Sequence, residues 1–485
     1  MASPSSDLFL LRKDPGILAS YSDLKVMQLF DTGRGEFSPA PPVESLDGIS
    51  PIDSLPYEVL ADIMVLAALL PRPGKWGYTT IATPAEVLVF CRICSRWRQV
   101  ALNTPRLWVW GEFPIPRAKA KSMAVTELFL ARSAPLPITV RVYEWTPCHL
   151  LPVVVSSARR WKDFQLYYDR IPAEINPLFT RIPTGTLENL ETLSLRWPNL
   201  GSGFDVFQVA PCLRKVTLNM RGISLHIPLL PWVQLTHLRL EYESPQACLD
   251  ILARCTSLVS ASVLTDQWRE DPVVARRCVL KHLEQLNITM YICSTGEHLG
   301  PFLQRLELPG LKSLSLALWD TPGLEEESFV SWLAPALAHF LARSPRLEYL
   351  YVADCIFAED MPGVLENTPS LTQLHLDLCN TGGAVHDDFF LALVHDPAAP
   401  VPLAPKLETL ELIDAGGDFA EESVVQMLES RWWSDDELDE MPTAPGVARW
   451  KRVKFHSQLL APKFFDQTFS ENMKKYELQG LEIWY

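Results

Sequence analysis

Short apolar triplets recur along most of the chain and form its main hydrophobic pattern. Between Pro137 and Ile483, thirteen segments place apolar residues at positions 1, 4 and 6, mostly at intervals of 22 to 36 residues. The first residue of each triplet is called its anchor, and the anchors are Pro137, Trp161, Leu190, Leu213, Leu235, Leu258, Leu283, Leu311, Leu347, Leu371, Leu407, Trp450 and Leu478. Alternation at positions 4 and 6 predicts a short strand, because neighbouring side chains of a strand point to opposite faces. A regular repeat of such a strand predicts a stacked solenoid of about thirteen irregular repeats.

The residues between the triplets predict what connects the strands. Proline stands two residues before five anchors, at Pro211, Pro309, Pro345, Pro369 and Pro405. Proline has no amide donor, so it can end the preceding segment before the strand begins. Helical spacing places two apolar sets each on one face: Phe329, Leu333, Ala336, Leu337, Phe340 and Leu341 in one, and Cys248, Ile251, Leu252 and Cys255 in the other. The predicted fold class is therefore α/β, a solenoid whose parallel strands form a concave sheet.

A different pattern precedes the triplets and predicts a small all-α module. Pro56 suits the first turn of a helix, where its missing amide costs nothing. The apolar stripe of that helix is Val59, Leu60, Ile63, Met64 and Ala67. A capping box at Thr83–Glu86, with proline at the first helical position, starts a second helical region that runs through Ala101. Helices this short bury little alone, so the module needs a partner or a neighbouring domain.

These patterns divide the chain into three predicted parts. Residues 1–50 contain a turn-rich stretch and predict a flexible or loosely docked arm. Residues 51–112 form the helical module, and residues 113–485 form the solenoid. A chain of 485 residues exceeds one compact core unless a repeat array carries the excess.

Charge and cysteine usage narrow the partners and the compartment. The net charge of −15 argues against nucleic acid or an anionic membrane as the main partner, since both attract a basic surface. The ten cysteines have no paired spacing, which favours free thiols in a reducing compartment. The first residues lack a basic leader, and the longest apolar run, Ile63 to Leu70, is too short to span a bilayer. We therefore expect a cytoplasmic or nuclear protein.

Candidate catalytic chemistry is sparse in the sequence. We find no nucleophile elbow, glycine-rich phosphate loop or zinc-protease motif. Cys91 and Cys94 have the spacing of zinc ligands, but they fall within a helical pattern without a second pair, which favours packed thiols. We therefore predict no catalytic residue, no metal and no cofactor, and a protein that is not an enzyme.

Two patches on the predicted concave face are candidate sites for a target protein. The residues that follow each anchor by two, four and six places alternate with the apolar triplet. They should therefore face out of the concave sheet. Among them, Arg196, Lys215 and Arg239 form a predicted basic patch suited to an acidic or phosphorylated segment. Tyr349, Tyr351 and His375 form a predicted aromatic patch suited to a protein interface. The competing interpretation is that polar residues fill any solvated sheet.

Both parts of the chain resemble known families. The helical module resembles an F-box. The residues that carry this resemblance are Leu55-Pro56-x-Glu58-Val59-Leu60, Ile63, the run from Val89 to Arg98, Ala101, and Pro105 to Trp108. The segment Ala68 to Thr83 is longer than the usual F-box link. The triplets resemble leucine-rich repeats, although the asparagine that often follows the strand in that family is missing from most copies. The order of the two parts resembles the F-box proteins abundant in mushroom-forming fungi.

The resemblance implies a substrate-receptor subunit of a Skp–cullin–F-box ubiquitin ligase. The F-box would bind the Skp adaptor, and the repeats would hold a target protein. The residues that it implies for adaptor binding are Leu55, Pro56, Leu60, Ile63 and Trp97. Two binding alternatives stay open: an F-box scaffold that works outside any ligase, and a free leucine-rich-repeat binder whose N-terminal helices cap the solenoid. A metabolic enzyme is a more distant alternative.

Overall fold

The structure is a computed structural model of the chain, and it divides into two units, Met1–Val140 and Arg141–Tyr485. The described residues are 51–69, 72–73, 79–80, 84–109, 121–144, 146–168, 176–196, 202–219, 229–242, 244–266, 277–292, 299–320, 333–354, 356–378, 385–398, 401–416, 419–433, 437–438, 446–456, 465 and 467–484. The predicted arm, residues 1–50, lies outside them, and the predicted boundaries at residues 50 and 112 stay predictions. No helix within the described ranges is long and apolar enough to span a membrane.

Short helices make up most of the first unit. They are α1 (Tyr57–Leu69), α2 (Pro84–Ile93), α3 (Ser95–Leu102) and α4 (Lys121–Ser133), with 3₁₀ turns at Pro51–Ser54 and Pro105–Leu107. Two short strands, β1 (Arg72–Pro73) and β2 (Thr79–Thr80), pair antiparallel between α1 and α2. Helix α2 begins at Pro84, the first helical position that the capping box predicts.

The second predicted helical region is two helices, because the chain turns at Cys94. The backbone of Cys94 is extended, and its Sγ accepts a hydrogen bond from the amide of Trp97 at 3.4 Å, which caps α3.

Trp108 is buried in the first unit and contacts two of its helices. The indole Nε1 of Trp108 donates to the carbonyl of Ala101 at 2.8 Å, and its ring meets Phe129 edge-on at 5.0 Å.

The second unit contains most of a sheet of thirteen strands that follow one another in chain order. The strands are β3 (Ile138–Tyr143), β4 (Trp161–Tyr167), β5 (Thr192–Arg196), β6 (Lys215–Asn219), β7 (His237–Tyr242), β8 (Ser260–Thr265), β10 (Gln285–Ile292), β12 (Ser313–Asp320), β13 (Tyr349–Ala353), β14 (Gln373–Asp377), β15 (Thr409–Ile413), β16 (Arg452–His456) and β17 (Glu482–Trp484). Two short strands, β9 (Cys278–Val279) and β11 (Leu306–Glu307), pair in parallel with each other outside this sheet. Each described pairing within the large sheet is also parallel. The predicted α/β solenoid with a parallel sheet is therefore confirmed.

Helices and 3₁₀ turns return the chain from one strand to the next. The helices are α5 (Leu151–Ser156), α6 (Asn176–Phe179), α7 (Pro245–Leu252), α8 (Leu299–Gln304), α9 (Leu333–Leu341), α10 (Met361–Leu365), α11 (Asp387–Ala392), α12 (Glu421–Glu429) and α13 (Gln467–Leu478). The 3₁₀ turns lie at Cys148–Leu150, Ala158–Arg160, Ser202–Gln208, Trp232–Gln234 and Ala358–Asp360. The predicted apolar faces of α7 and α9 are buried, apart from Phe329, which lies outside the described residues.

The core is a ladder of aliphatic side chains in register. Leu286, Leu314, Leu350, Leu374 and Leu410 occupy equivalent positions on five adjacent strands, and all are fully buried. The eleven anchors from Trp161 to Trp450 are buried as well. A solenoid repeat buries its apolar face only against its neighbours, so this ladder is the common core of the second unit.

The last anchor of the sequence prediction is wrong by two residues. Leu478 ends helix α13 and is 90% exposed. Val453 of β16 pairs with Ile483, so the anchor position of the final repeat falls on Gly480. Gly480 has φ +101, a left-handed conformation that ends a helix and favours glycine. The inward residues of this repeat are Leu481 and Ile483, both buried.

A buried arginine fixes one long connection of the second unit. Arg431 donates to the carbonyls of Leu393, Ala404 and Leu403 at 3.0, 3.0 and 2.6 Å. Its guanidinium lies 5.5 Å from the ring centre of Trp450, and burial lowers its pKa to about 10. Three backbone acceptors on the connection between α11 and β15 therefore depend on this one side chain.

The ladder predicts a large loss of stability when one of its central residues is truncated. Leu314→Ala should lower the free energy of unfolding by ~2–5 kcal/mol, because it leaves a cavity in a fully packed core. Urea titration measures this loss. Ser315→Ala is the control, since Ser315 is only partly buried and faces away from the ladder. A loss below ~0.5 kcal/mol for Leu314→Ala would contradict its place in the core.

Candidate functional site

Helix α1 of the first unit buries one apolar stripe and leaves a second one exposed. Leu60, Met64 and Ala68 are buried. Val59, Ile63 and Leu66, spaced four and three residues apart, are 43%, 38% and 63% exposed. Residues at this spacing share one helical face, so α1 presents an aliphatic surface outward. This surface is called the α1 face.

Helix α2 adds two further exposed aliphatic residues. Val89 and Ile93 are one turn apart and are both exposed. The sequence prediction did not select Val59, Leu66, Val89 or Ile93 as binding residues. Their helical spacing was visible in the sequence, but it did not distinguish the exposed stripe from the buried one.

The five residues that the F-box resemblance implies for adaptor binding differ in their exposure. Pro56 and Ile63 are exposed, and Leu55 and Trp97 are half-buried. Leu60 differs, because it is fully buried in the core of the first unit and cannot contact a partner in this conformation. Of the five residues, therefore, four reach the surface in whole or in part.

Polar contacts hold the helices of the first unit together. The carbonyl of Leu55 accepts a hydrogen bond from the Arg96 side chain. The hydroxyl of Tyr57 donates to the carbonyl of Val100 at 3.3 Å. Arg106 and Asp62 form an exposed ion pair. These contacts tie the start of α1 to α3 and tie its middle to the 3₁₀ turn at Pro105–Leu107.

Cys91 and Cys94 lie in different environments. Cys91 is buried, and burial raises the pKa of its thiol. Cys94 is exposed and caps α3. Across the described residues there is no group of three or more histidine, cysteine or acidic side chains that could hold a metal ion.

The three predicted basic residues lie at different positions along the strands of the large sheet. Arg196 ends β5 and pairs with Asn219, whereas Lys215 begins β6. The two cations are thus four residues apart along neighbouring strands, which corresponds to ~13 Å. Arg239 Nε binds Glu241 Oε1 at 3.0 Å.

A carboxylate partly offsets this basic patch. Glu241 accepts hydrogen bonds from both Arg239 and Asn219. Burial lowers the pKa of His237, and the positive charge of Lys215 lowers it further. The cations therefore do not converge on one point, and their role in target binding stays a prediction.

The three predicted aromatic residues, by contrast, come together. Tyr351 of β13 pairs in register with His375 of β14. The rings of Tyr349 and His375 lie 5.0 Å apart between centroids. The hydroxyl of Tyr351 donates to Asp377 Oδ2 at 3.1 Å, which fixes the ring. Burial and then the charge of Asp377 raise the pKa of Tyr351, so its hydroxyl remains a donor at neutral pH.

This cluster continues across the last strands as a row of contacts. His375 Nδ1 lies 3.0 Å from Glu411 Oε2, and Lys454 Nζ lies 3.8 Å from Glu411 Oε1. The ammonium of Lys454 lies 5.6 Å from the ring centre of Trp484. Tyr351, His375, Glu411, Lys454 and Trp484 occupy the same register position on β13 to β17, and they are called the concave row.

Within the concave row, His375 has a pKa below its ordinary value. Burial lowers the pKa of His375, and the positive charges of Arg452 and Lys454 lower it further, although the carboxylate of Glu411 opposes them. Nε2 of His375 is buried and has no hydrogen-bond partner among the described residues. A proton on Nδ1 can be donated to Glu411, which satisfies that nitrogen. The sequence analysis selected His375 as a candidate site residue, but it did not select Glu411, Lys454 or Trp484. Alignment of the strands places these three residues at the equivalent position on the next three strands.

Comparisons with known proteins give loose likenesses only. No family model and no curated protein matches the chain. An internalin from Listeria monocytogenes is 14% identical, with 60% of this chain and 70% of that chain covered and a TM-score of 0.32. The structure of the Rad7 and Elc1 complex in yeast is 12% identical, with 98% of both chains covered and a TM-score of 0.31. The Toll–Spatzle complex of Drosophila is 14% identical, with 66% of this chain and 44% of that chain covered and a TM-score of 0.27. At these scores the likenesses carry no argument about function.

The lowered pKa of His375 predicts how stability depends on pH. The unfolded chain should bind a proton near the ordinary value of 6.5, whereas the folded protein binds it only at lower pH. Stability contributed by the neutral imidazole is therefore present above this value and is lost as the pH falls toward the folded-state pKa. Between about pH 7 and about pH 5, urea titration should show a smaller loss for His375→Gln than for the natural protein.

The matched control removes an exposed imidazole elsewhere. His339→Gln, on α9, should leave the pH dependence as in the natural protein. Equal losses of stability in the natural protein and in His375→Gln would show that folding does not lower the pKa of His375.

Proposed function

We propose that the protein is a substrate-receptor subunit of a Skp–cullin–F-box ubiquitin ligase. The observation that carries the proposal is the α1 face, an exposed aliphatic surface in the segment that resembles an F-box. Exposed apolar groups favour association, because each Å² removed from water contributes ~25 cal/mol. The Skp adaptor would cover the α1 face, and through it a cullin would be recruited.

The proposed target site is the concave row together with Tyr349. Aromatic side chains often supply most of the binding energy at protein interfaces. Here the rings are already held by Asp377, Glu411 and the neighbouring strands, so little side-chain freedom remains to be lost on binding. This arrangement supports the concave row over the basic patch, whose Arg239 is paired with Glu241.

In this proposal the chain binds proteins and catalyses no reaction itself. It requires no cofactor or metal, and it acts in the cytoplasm or the nucleus. The net charge of −15 supports a protein partner over nucleic acid or an anionic membrane. An adaptor bound without a cullin would instead indicate a scaffold that works outside a ligase.

The α1 face predicts loss of adaptor binding on charge insertion. Ile63→Asp with Leu66→Asp should abolish co-purification with the Skp adaptor and a cullin, because two carboxylates would have to be buried at the contact. Leu55→Ala with Pro56→Ala should abolish adaptor binding as well and leave the second unit folded. Affinity purification followed by mass spectrometry measures both partners.

A matched exposed leucine in the second unit provides the control. Leu391→Asp, on α11, should leave adaptor binding unchanged. Circular dichroism checks that each variant is folded. If the Ile63/Leu66 variant recovers the adaptor at natural levels, the ligase proposal loses its main support.

The concave row predicts how target binding responds to mutation and salt. Tyr349→Ala with Tyr351→Ala should weaken the binding of an identified target by ~10- to 100-fold at every salt concentration, because apolar contact area is lost. Lys215→Glu with Arg239→Glu should have a smaller effect that fades at high salt, because ions screen exposed charges. Binding measured by calorimetry at two ionic strengths separates the two. A target bound normally by the tyrosine variant would exclude the concave row as its site.

A further inference from the structure

A groove at the beginning of two central strands differs in kind from the concave row. Its volume is about 580 Å³, and it is lined by Leu230, Pro231, Trp232, Val233, Gln234 and Arg254. Residues 230–234 lead into β7, and Arg254 follows α7 on the way to β8. The groove is therefore formed by the connections that precede these strands, whereas the concave row lies on strands β13 to β17.

Exposed aliphatic side chains also occur in the neighbouring connections of the sheet. Val233 is 64% exposed, and Leu229 beside it is also exposed. Val209, before β6, and Val279, before β10, are exposed in the corresponding connections. Strands β6, β7, β8 and β10 are adjacent in the sheet, so these connections span ~14 Å at ~4.8 Å per strand. That length suits a few residues of extended chain.

The charge of the groove comes from one arginine. Among its described lining residues, Arg254 is the one charged side chain, and it is exposed. Its guanidinium makes no hydrogen bond or ion pair with the described residues. The side chain of Gln234, another lining residue, is fixed, since its amide donates to the carbonyls of Ala210 and Leu213 at 2.8 and 2.9 Å. Within the part of the chain that the structure describes, the groove thus combines apolar side chains with a cation that has no hydrogen-bond or ion-pair partner.

We infer that this groove binds a short extended segment of a partner protein that carries an aliphatic side chain beside a carboxylate. The aliphatic group would lie against Val233 and Trp232, and the carboxylate would accept hydrogen bonds from Arg254. A second copy of this chain is the competing occupant, and its self-association is one outcome of the test below. The site is independent of the α1 face and of the proposed ligase role.

The test uses the purified full chain and labelled peptides. The probe is a fluorescein-labelled hexapeptide of alternating leucine and glutamate, and the comparison probe alternates leucine and lysine. Fluorescence anisotropy should show binding of the leucine–glutamate probe and at least ~10-fold weaker binding of the leucine–lysine probe. Arg254→Glu and Val233→Asp should each weaken the first probe by ~10-fold or more.

Matched variants elsewhere in the solenoid provide the controls. Arg346→Glu and Val401→Asp make the same changes at exposed residues outside the groove and should bind as the natural protein does. Failure of the natural protein to bind the leucine–glutamate probe would overturn the inference, and so would equal binding by Arg254→Glu. Self-association in the ultracentrifuge that Val233→Asp abolishes would also overturn it, in favour of a second copy. None of these measurements involves the adaptor, so their outcome is separate from that of the ligase proposal.

Discussion

In-register stacking of buried aliphatic side chains along a parallel sheet is the constraint on which the second unit depends. Leu286, Leu314 and Leu350 each lie directly opposite the next on adjacent strands. Burying one such side chain contributes ~1.5–3 kcal/mol, but only when the neighbouring strand supplies the contacts. No repeat has a core of its own, so each keeps its strand register in order to keep its leucines buried. The inward positions are therefore committed to packing.

The same register determines what the outward positions can do. Because side chains alternate along a strand, fixing the leucines also fixes the concave residues between them. Strands ~4.8 Å apart then bring equivalent outward side chains into contact. The concave row follows from this spacing: His375 reaches Glu411, and Glu411 reaches Lys454, each on the next strand. A surface built this way is held by the backbone of the sheet and not by loops.

Sequence reasoning succeeded where periodicity alone decides the structure and failed where tertiary contacts decide it. The triplets located the strands because a period of two is visible in a single repeat. The anchor of the last repeat was misplaced because Leu478 is the last residue of helix α13, and the left-handed Gly480 follows two residues later. In α1, Leu60 and Ile63 are equally apolar, and only the packing against the other helices of the unit buries one and exposes the other. The pairing of Glu411 with Lys454 was likewise invisible until the strands were aligned.

The α1 face and the concave row, the two surfaces of the proposed function, differ in physical character. This difference determines whether each would contribute mainly to affinity or to selectivity. The α1 face is aliphatic, so its contribution follows the buried area and is insensitive to salt. The concave row joins aromatic rings to paired charges, so a ligand that cannot satisfy Glu411 and Lys454 meets a desolvation cost. In the proposed function, the α1 face would therefore contribute affinity for the adaptor through buried area. The concave row would contribute selectivity among targets, because unpaired charges penalise the wrong partner.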